Sequence, residues 1–167
     1  MEYIVSGNSH IFGDNIDTDQ IYPGRYLELT SKKDIASHCM EGVRPGFTEQ
    51  LTPGDIVAAG RNFGCGSSRE HGAITLKEAG IGAVIAESFA RIFYRNAINL
   101  GLPVIVCKGV SQKVSENDKL SVNMTTGEIK NITRNEVYQG EGLSASIIDI
   151  LKAGGIKPLF KERYSVK

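Results

Sequence analysis

Asp55-Ile56-Val57-Ala58-Ala59-Gly60 leads into Arg61-Asn62-Phe63-Gly64-Cys65-Gly66-Ser67-Ser68-Arg69-Glu70-His71-Gly72, and Ala73 to Gly80 follows with a helical pattern. The short apolar run predicts a buried strand, and the glycine-rich stretch predicts a turn into the helix. Gly60, Gly64 and Gly66 let backbone amides come close to a ligand, at positive φ where the turn needs it. On this reading Ser67, Ser68 and Arg69 fall at the first turn of the helix. There the free N–H groups and the positive end of the dipole favour a carboxylate or a phosphate. Arg69 adds a planar fork that can hold a carboxylate by two parallel bonds. The segment reads as a site for a small anion with a serine hydroxyl beside it.

Downstream, Ile81-Gly82-Ala83-Val84-Ile85-Ala86 is a second buried strand. Ser88 is placed to cap a helix with Phe89, Ile92, Phe93, Ala97 and Leu100 as its apolar stripe, and Leu102-Pro103-Val104-Ile105-Val106 is a third strand. Alternating strands and helices predict right-handed crossovers and a parallel sheet over 55 to 106. Arg91, Arg95 and Asn96, on the polar side of that helix, could face solvent, an internal acid or a partner subunit, with solvent the default expectation.

Upstream, Tyr3 to Gly7 and Ser9 to Phe12 read as a strand or hairpin broken at Gly7-Asn8. The acids Asp14, Asp17 and Asp19 suggest a calcium loop, but with Asp17 as first ligand the required sixth-place Gly is Tyr22. Local side-chain-to-backbone turns explain them better. Ile21 to Leu29 is irregular. Ser31 is placed to cap a short helix ending near Gly42, in which neighbouring His38 and Cys39 point about 100° apart and form no pair. His38 is read as structural. Near the C-terminus, Lys119 to Met124 and Glu128 to Ile132 flank Thr125-Thr126-Gly127 as an antiparallel hairpin, and a last helix from Ala145 to Ala153 stops at Gly154-Gly155.

The chain has 167 residues, enough for one domain, 1–167, with a full core. Its 19 basic and 19 acidic residues cancel, which gives no electrostatic reason to expect nucleic acid or an anionic membrane. No apolar stretch approaches the roughly 18 residues of a membrane span, and a cytoplasmic setting is expected. Cys39, Cys65 and Cys107 are odd in number and lack C-x-x-C spacing, which argues against disulfides and against a metal cluster held by this chain alone.

Several chemistries compete for the glycine-rich segment. Ser67 and Glu70 satisfy a capping box, which would make the serine merely structural. Cys65 near a helix start, with Arg69 close and His71 as a base, would suit a cysteine enzyme. Neither G-x-x-x-x-G-K-[ST] nor G-x-G-x-x-G is present, so a nucleotide loop is disfavoured. A non-catalytic module that binds a carboxylate is a further reading.

Three separated blocks carry a resemblance. Asp14-Asn15-Ile16-Asp17-Thr18-Asp19-Gln20-Ile21, the stretch Gly60 to His71, and Ser88-Phe89-Ala90-Arg91-Ile92-Phe93 through Asn96 occur in that order in the small subunits of isopropylmalate isomerase (3-isopropylmalate dehydratase). The chain resembles that family over roughly residues 9 to 106, and the same domain occurs as the swivelling C-terminal domain of aconitase and in homoaconitase. The resemblance implies an α/β fold, a three-layer β/β/α swivelling domain. It implies no cofactor in this chain, with a 4Fe-4S cluster on a large partner subunit in a heterodimer or heterotetramer. By motif, Ser67 is the catalytic base, Arg69 binds a substrate carboxylate and Ser68 sits beside it. The loop Tyr26-Leu27-Glu28-Leu29, with Leu27, Glu28 and Leu29 as its substrate-binding residues, helps to read the variable group of a small dicarboxylic 2-hydroxy acid. Glu28 would repel an extra carboxylate while Leu27 and Leu29 suit an alkyl group. The expectation is therefore 2-isopropylmalate, isomerised through 2-isopropylmaleate in leucine biosynthesis, rather than homocitrate, with 2,3-dimethylmalate and citramalate as the nearest competitors.

Overall fold

Seven strands, β1 (Ile4–Ile11), β2 (Ile56–Ala59), β3 (Ala83–Ala86), β4 (Val104–Val106), β5 (Lys119–Asn123), β6 (Glu128–Asn131) and β7 (Glu136–Gln139), form one sheet in the order β4-β3-β2-β1-β5-β6-β7. The computed structural model describes residues 2–164; the expected domain limits, 1 and 167, lie outside the described residues.

The sheet has two halves joined by β1. Ser9 to Ile11 pair in parallel with β2, opposite Ile56 to Ala58. Ile4 to Asn8 pair antiparallel with β5, from Ile4 opposite Asn123 to Asn8 opposite Lys119. In the parallel half every residue of β2 and β3 is buried, as expected of strands covered on both faces. In the antiparallel half buried positions alternate with more exposed ones along β5 and β6.

The hairpin break expected at Gly7-Asn8 is absent, because β1 runs straight through it. A Cβ on Gly7 would lie 2.2 Å from the Gly54 carbonyl oxygen, so glycine here permits a close chain crossing. Beside this seam the buried His10 sits between two carboxylates, with Nε2 2.8 Å from Asp55 Oδ2 and Nδ1 3.0 Å from Glu116 Oε2.

The helices are α1 (Thr18–Ile21), α2 (Lys32–Ala36), α3 (His71–Glu78), α4 (Arg91–Asn99), α5 (Val110–Lys113), α6 (Ala145–Ala153) and α7 (Ile156–Tyr164). The predicted β2-α3-β3-α4-β4 alternation is present, and all of its strand pairs are parallel. With the antiparallel half it makes up the expected β/β/α arrangement. Helix α2 starts at its Ser31 cap but ends well before Gly42. Tertiary pairing stops it: the Met40 and Gly42 amides donate to Ile21 and Gln20 of α1 at 2.7 and 3.0 Å. Ser88 does not cap α4, whose N-cap position is Ala90. Ile92, assigned to the apolar stripe, is 49% exposed, and the buried side of α4 is Phe93, Ala97 and Ile98. Helix α6 ends at left-handed Gly154 as predicted. Strand β7 and helices α1, α5 and α7 are additions to the sequence reading. Among the described residues no helix is long and apolar enough to cross a membrane.

Candidate active site

The three sequence blocks are the three segments that follow β1, β2 and β3. Each leaves the carboxyl end of a parallel strand, where open α/β sheets form their ligand crevices. Backbone hydrogen bonds stitch the first two together. Gly60 N–H donates to Gly13 O at 3.1 Å, Asn15 to Arg61 O at 2.8 Å, Gly64 to Ile16 O at 2.7 Å and Thr18 to Cys65 O at 2.8 Å. The third block joins through Phe63 N–H to Ser88 O at 3.1 Å and Ala90 N–H to Phe63 O at 2.9 Å. The Ser88 hydroxyl, not used as a cap, accepts from Asn62 N–H at 2.8 Å.

Of the acids of the first block, Asp17 and Asp19 act as local acceptors as expected, whereas Asp14 reaches across to the second block. Asp14 Oδ1 accepts from Arg61 N–H at 2.7 Å, Asp19 Oδ1 from Gly24 N–H at 2.7 Å, and Asp17 closes a capping box with Gln20 at the start of α1. The glycines also serve the stitching more than a ligand. A Cβ at Gly60 would fall 1.9 Å from Asp14 Oδ1, and one at Gly64, where φ is 85°, would fall 2.2 Å from Phe93 Cγ. Gly66 is the exposed one, at φ 103°.

Ser67, Ser68 and Arg69 precede α3 rather than occupying its first turn. The helix begins at His71, and its N-cap residue Glu70 makes no side-chain capping bond. The capping-box reading of Ser67 therefore fails, because the hydroxyl has another partner. Ser67 Oγ accepts from Arg69 N–H at 3.1 Å and from Arg69 Nε–H at 2.9 Å. Ser67 N–H in turn donates to the Thr18 hydroxyl at 3.0 Å. The serine is thus held from below by Thr18 and faced by a guanidinium, with its own O–H left to donate. Asn96, expected in solvent, reaches over from α4 and donates to Ser68 O at 3.2 Å.

A shallow cleft beside this pair is lined by Tyr22, Leu27, Ser67, Arg69 and His71, together with Thr18, Asp19 and Gly72. Of the residues singled out from sequence, Ser67, Arg69 and Leu27 meet here. Ser68 lies outside the lining, as do the exposed Glu28 and the half-buried Leu29. Thr18 and Tyr22 are lining residues that sequence reasoning did not assign, and His71, weighed there only as a base for Cys65, lines the cleft as well. A larger cavity of about 400 Å³ opens between α3, α4 and α7 around Ile74, Leu100 and Pro158, but it meets this region only through Glu70 and Asn96 and holds neither Ser67 nor Arg69. Chemistry, not size, identifies the smaller cleft.

The loop bearing Leu27 is tied down by side chains. The Tyr22 hydroxyl donates to Tyr26 O at 2.6 Å and the Tyr26 hydroxyl to Glu41 Oε1 at 2.7 Å. His38 stacks on Tyr26 with ring centroids 3.6 Å apart and hydrogen-bonds Glu41, while Arg25 pairs with the same carboxylate at 3.2 Å. Burial pushes the Glu41 carboxyl upward, but the bonds from His38 and Tyr26, aided by Arg25, outweigh it and hold it below the usual carboxylate range.

The cysteine chemistry finds no support. Among the described residues no hydrogen bond joins Cys65 to His71, whose ring stacks on Tyr22 with centroids 5.6 Å apart and planes 12° apart. Burial pushes the Cys39 thiol up to about 12 and raises that of Cys107 as well. Among the described residues no three His, Cys, Asp or Glu side chains converge in a way that fits an iron–sulfur cluster.

The chain is similar over nearly its whole length to relatives with established names. The isopropylmalate/citramalate isomerase small subunit of Methanocaldococcus jannaschii is 55% identical over 163 residues, covering 98% of this chain and 97% of that protein. The methanogen homoaconitase small subunit of Methanothermobacter thermautotrophicus is 51% identical over 156 residues, covering 93% and 90%. A crystal structure of 3-isopropylmalate dehydratase from Methanocaldococcus jannaschii superposes with a TM-score of 0.92 at 43% identity, covering 97% of this chain and 96% of that one. The family model of the aconitase C-terminal domain matches residues 5–109, a span that takes in all three stitched segments. This chain belongs to the aconitase C-terminal domain family.

Proposed function

We propose that this chain is the small subunit of 3-isopropylmalate dehydratase, a hydro-lyase that interconverts 2- and 3-isopropylmalate through 2-isopropylmaleate in leucine biosynthesis. It works in complex with a large subunit. The observation that carries the reading is the Ser67–Arg69 pair, with Nε and backbone N–H 2.9 and 3.1 Å from one hydroxyl oxygen, in a cleft shared with Leu27. The nearly full-length relatives named for this reaction support it.

On this reading Ser67, as an alkoxide, takes the proton from the carbon next to a substrate carboxylate. The C–H electron pair becomes the new C=C bond as hydroxide leaves the neighbouring carbon, and re-addition with the opposite orientation moves the hydroxyl. An alkoxide lies far outside the ordinary ionisation range of serine. The positive charge of Arg69 and the N–H donors at its oxygen stabilise it before any substrate arrives, which is where electrostatic catalysis is most effective. The guanidinium edge not used by Ser67 is left for a carboxylate, and Ser68 stands beside it. The 4Fe-4S cluster belongs on the large subunit, which supplies the Lewis acid for the leaving hydroxyl. Base and cluster on separate chains make assembly a condition of turnover.

For the substrate, Leu27 offers an apolar contact in the cleft, and Arg69 is the lining residue with a permanent positive charge. That set suits two carboxylates and an alkyl group better than the three carboxylates of homocitrate. Glu28, assigned to the reading loop from sequence, together with Leu29 acts at most from the rim. We take residues 1–167 as one such domain, in a cytoplasmic setting that its three free cysteines suit.

The test is alkene formation, followed by ultraviolet absorbance, when this chain is mixed anaerobically with a cluster-bearing large subunit. Turnover of 2-isopropylmalate only in the mixture is expected. Preference for homocitrate would reassign the substrate, and no alkene from any of these acids would leave a carboxylate-binding module in its place.

A further inference from the structure

The Leu27 side of the cleft has no backbone tie to the Ser67 side. Among residues 24–30 the backbone hydrogen bonds are local, from Tyr26 to Pro23, Leu27 to Gly24 and Leu29 to Tyr26. What spans the gap is Tyr22. It is 3% exposed, its ring lies parallel to His71 at the first position of α3, and its hydroxyl donates at 2.6 Å to the carbonyl of the peptide joining Tyr26 to Leu27. Tyr26 is gripped from its other side by the His38 ring at 3.6 Å and by Glu41 through its hydroxyl at 2.7 Å. A strap of side chains therefore fixes where Leu27 stands relative to the serine and the arginine.

We infer that Tyr22 is a specificity-positioning residue: through its hydroxyl it holds Leu27 at the distance from the Ser67–Arg69 pair that an isopropyl substituent fills and a methyl group does not. The inference rests on the function proposed above. It assigns Tyr22 no contact with the reacting atoms. An apolar pocket separates homologous alkyl groups only by how closely its wall fits them, so a wall free to drift loses the larger group's advantage first.

Tyr22→Phe removes the hydroxyl while keeping the ring against His71. In the reconstituted complex the kcat and KM for 2-isopropylmalate and citramalate are to be measured in parallel, with the melting temperature as a control. The expected result is a preference for 2-isopropylmalate that shrinks by about tenfold, mostly through its KM, while the citramalate KM moves by about twofold or less. Should Tyr22→Phe fail to assemble, Glu41→Gln loosens the same strap from its far end and is expected to narrow the preference in the same way. An unchanged preference in a variant that assembles, whether or not both acids slow equally, overturns the assignment and leaves Tyr22 a packing residue. A wild-type complex that dehydrates neither acid overturns the underlying function instead, so the two failures are distinguishable.

Discussion

The segment carrying Ser67 and the segment carrying Leu27 face each other across one cleft and are held by different kinds of bond. Around Ser67, backbone amides and carbonyls of three chain segments interlock, and glycines let them approach. Around Leu27 the backbone bonds only to its near neighbours, and rings, hydroxyls and one carboxylate do the rest. Backbone bonds do not depend on which side chain is present, so the first arrangement is sensitive mainly at its glycines and at Asp14, Thr18 and Ser88, whose side chains accept from its amides. Side-chain bonds can be exchanged one at a time. On the function proposed above, the chemical step would rest on the backbone-held part of the cleft and the choice of substrate on the side-chain-held part, which fits relatives of about 50% identity carrying names for different acids.

The sharpest way to break this contrast is at the hydroxyl itself. Ser67→Ala is expected to lower kcat by about a thousandfold, within the range that a positioned base contributes, while the complex still assembles on a sizing column. Near-normal turnover would remove Ser67 from the chemistry. Next comes the scaffold. Gly64→Ala puts a Cβ 2.2 Å from Phe93 Cγ at φ 85°, and strain plus overpacking should cost about 3 kcal/mol, read as a lowered denaturation midpoint. A variant as stable as wild type would mean that the loop is looser than its hydrogen bonds imply. Arg69→Lys keeps the charge but loses the fork and the Nε–H bond to Ser67, so KM for the dicarboxylate should rise by about tenfold or more. An unchanged KM would place the carboxylate elsewhere.

The smallest effect belongs to the adjustable side. The Glu41 carboxyl is held below its ordinary value of 4.5, so it binds its proton less readily folded than unfolded. Its contribution to stability is complete above that value and is lost as pH falls through the lower, folded value. Melting temperatures of wild type and Glu41→Gln should differ most near neutrality and converge in acid. A difference that persists in acid would mean that the ionised carboxylate is not what holds Tyr26.

What could be read beforehand follows the same division. The strand runs around 56, 83 and 104, the glycine-rich turn and the hairpin at Thr125-Thr126-Gly127 all announce themselves locally, through apolar runs and turn residues. So did the Ser67–Arg69 pair, two residues apart, although the expected helix start came three residues too early because a serine followed by Glu70 imitates a cap. The strap from Tyr22 to Glu41 and the bond from Asn96 to Ser68 join residues from separate turns or helices, and no periodicity marks them. Ile92 misled for a related reason: it sits at helical spacing from Phe89 and Leu100, yet α4 turns it to solvent. Helix α7 was hidden because Gly154-Gly155 ends one helix and the next begins immediately.

The double membership of β1 has a consequence for dissecting the molecule. Residues 5–109, the span that defines the family, contain β1 with its first half and leave out β5. Cut there, the chain would display Val5 to Asn8 as a bare row of amides and carbonyls, open to any passing strand. The last third of the protein thus supplies the strand that covers this edge of the first two-thirds. A minimal version of this domain would need a replacement edge before it needed any further chemistry.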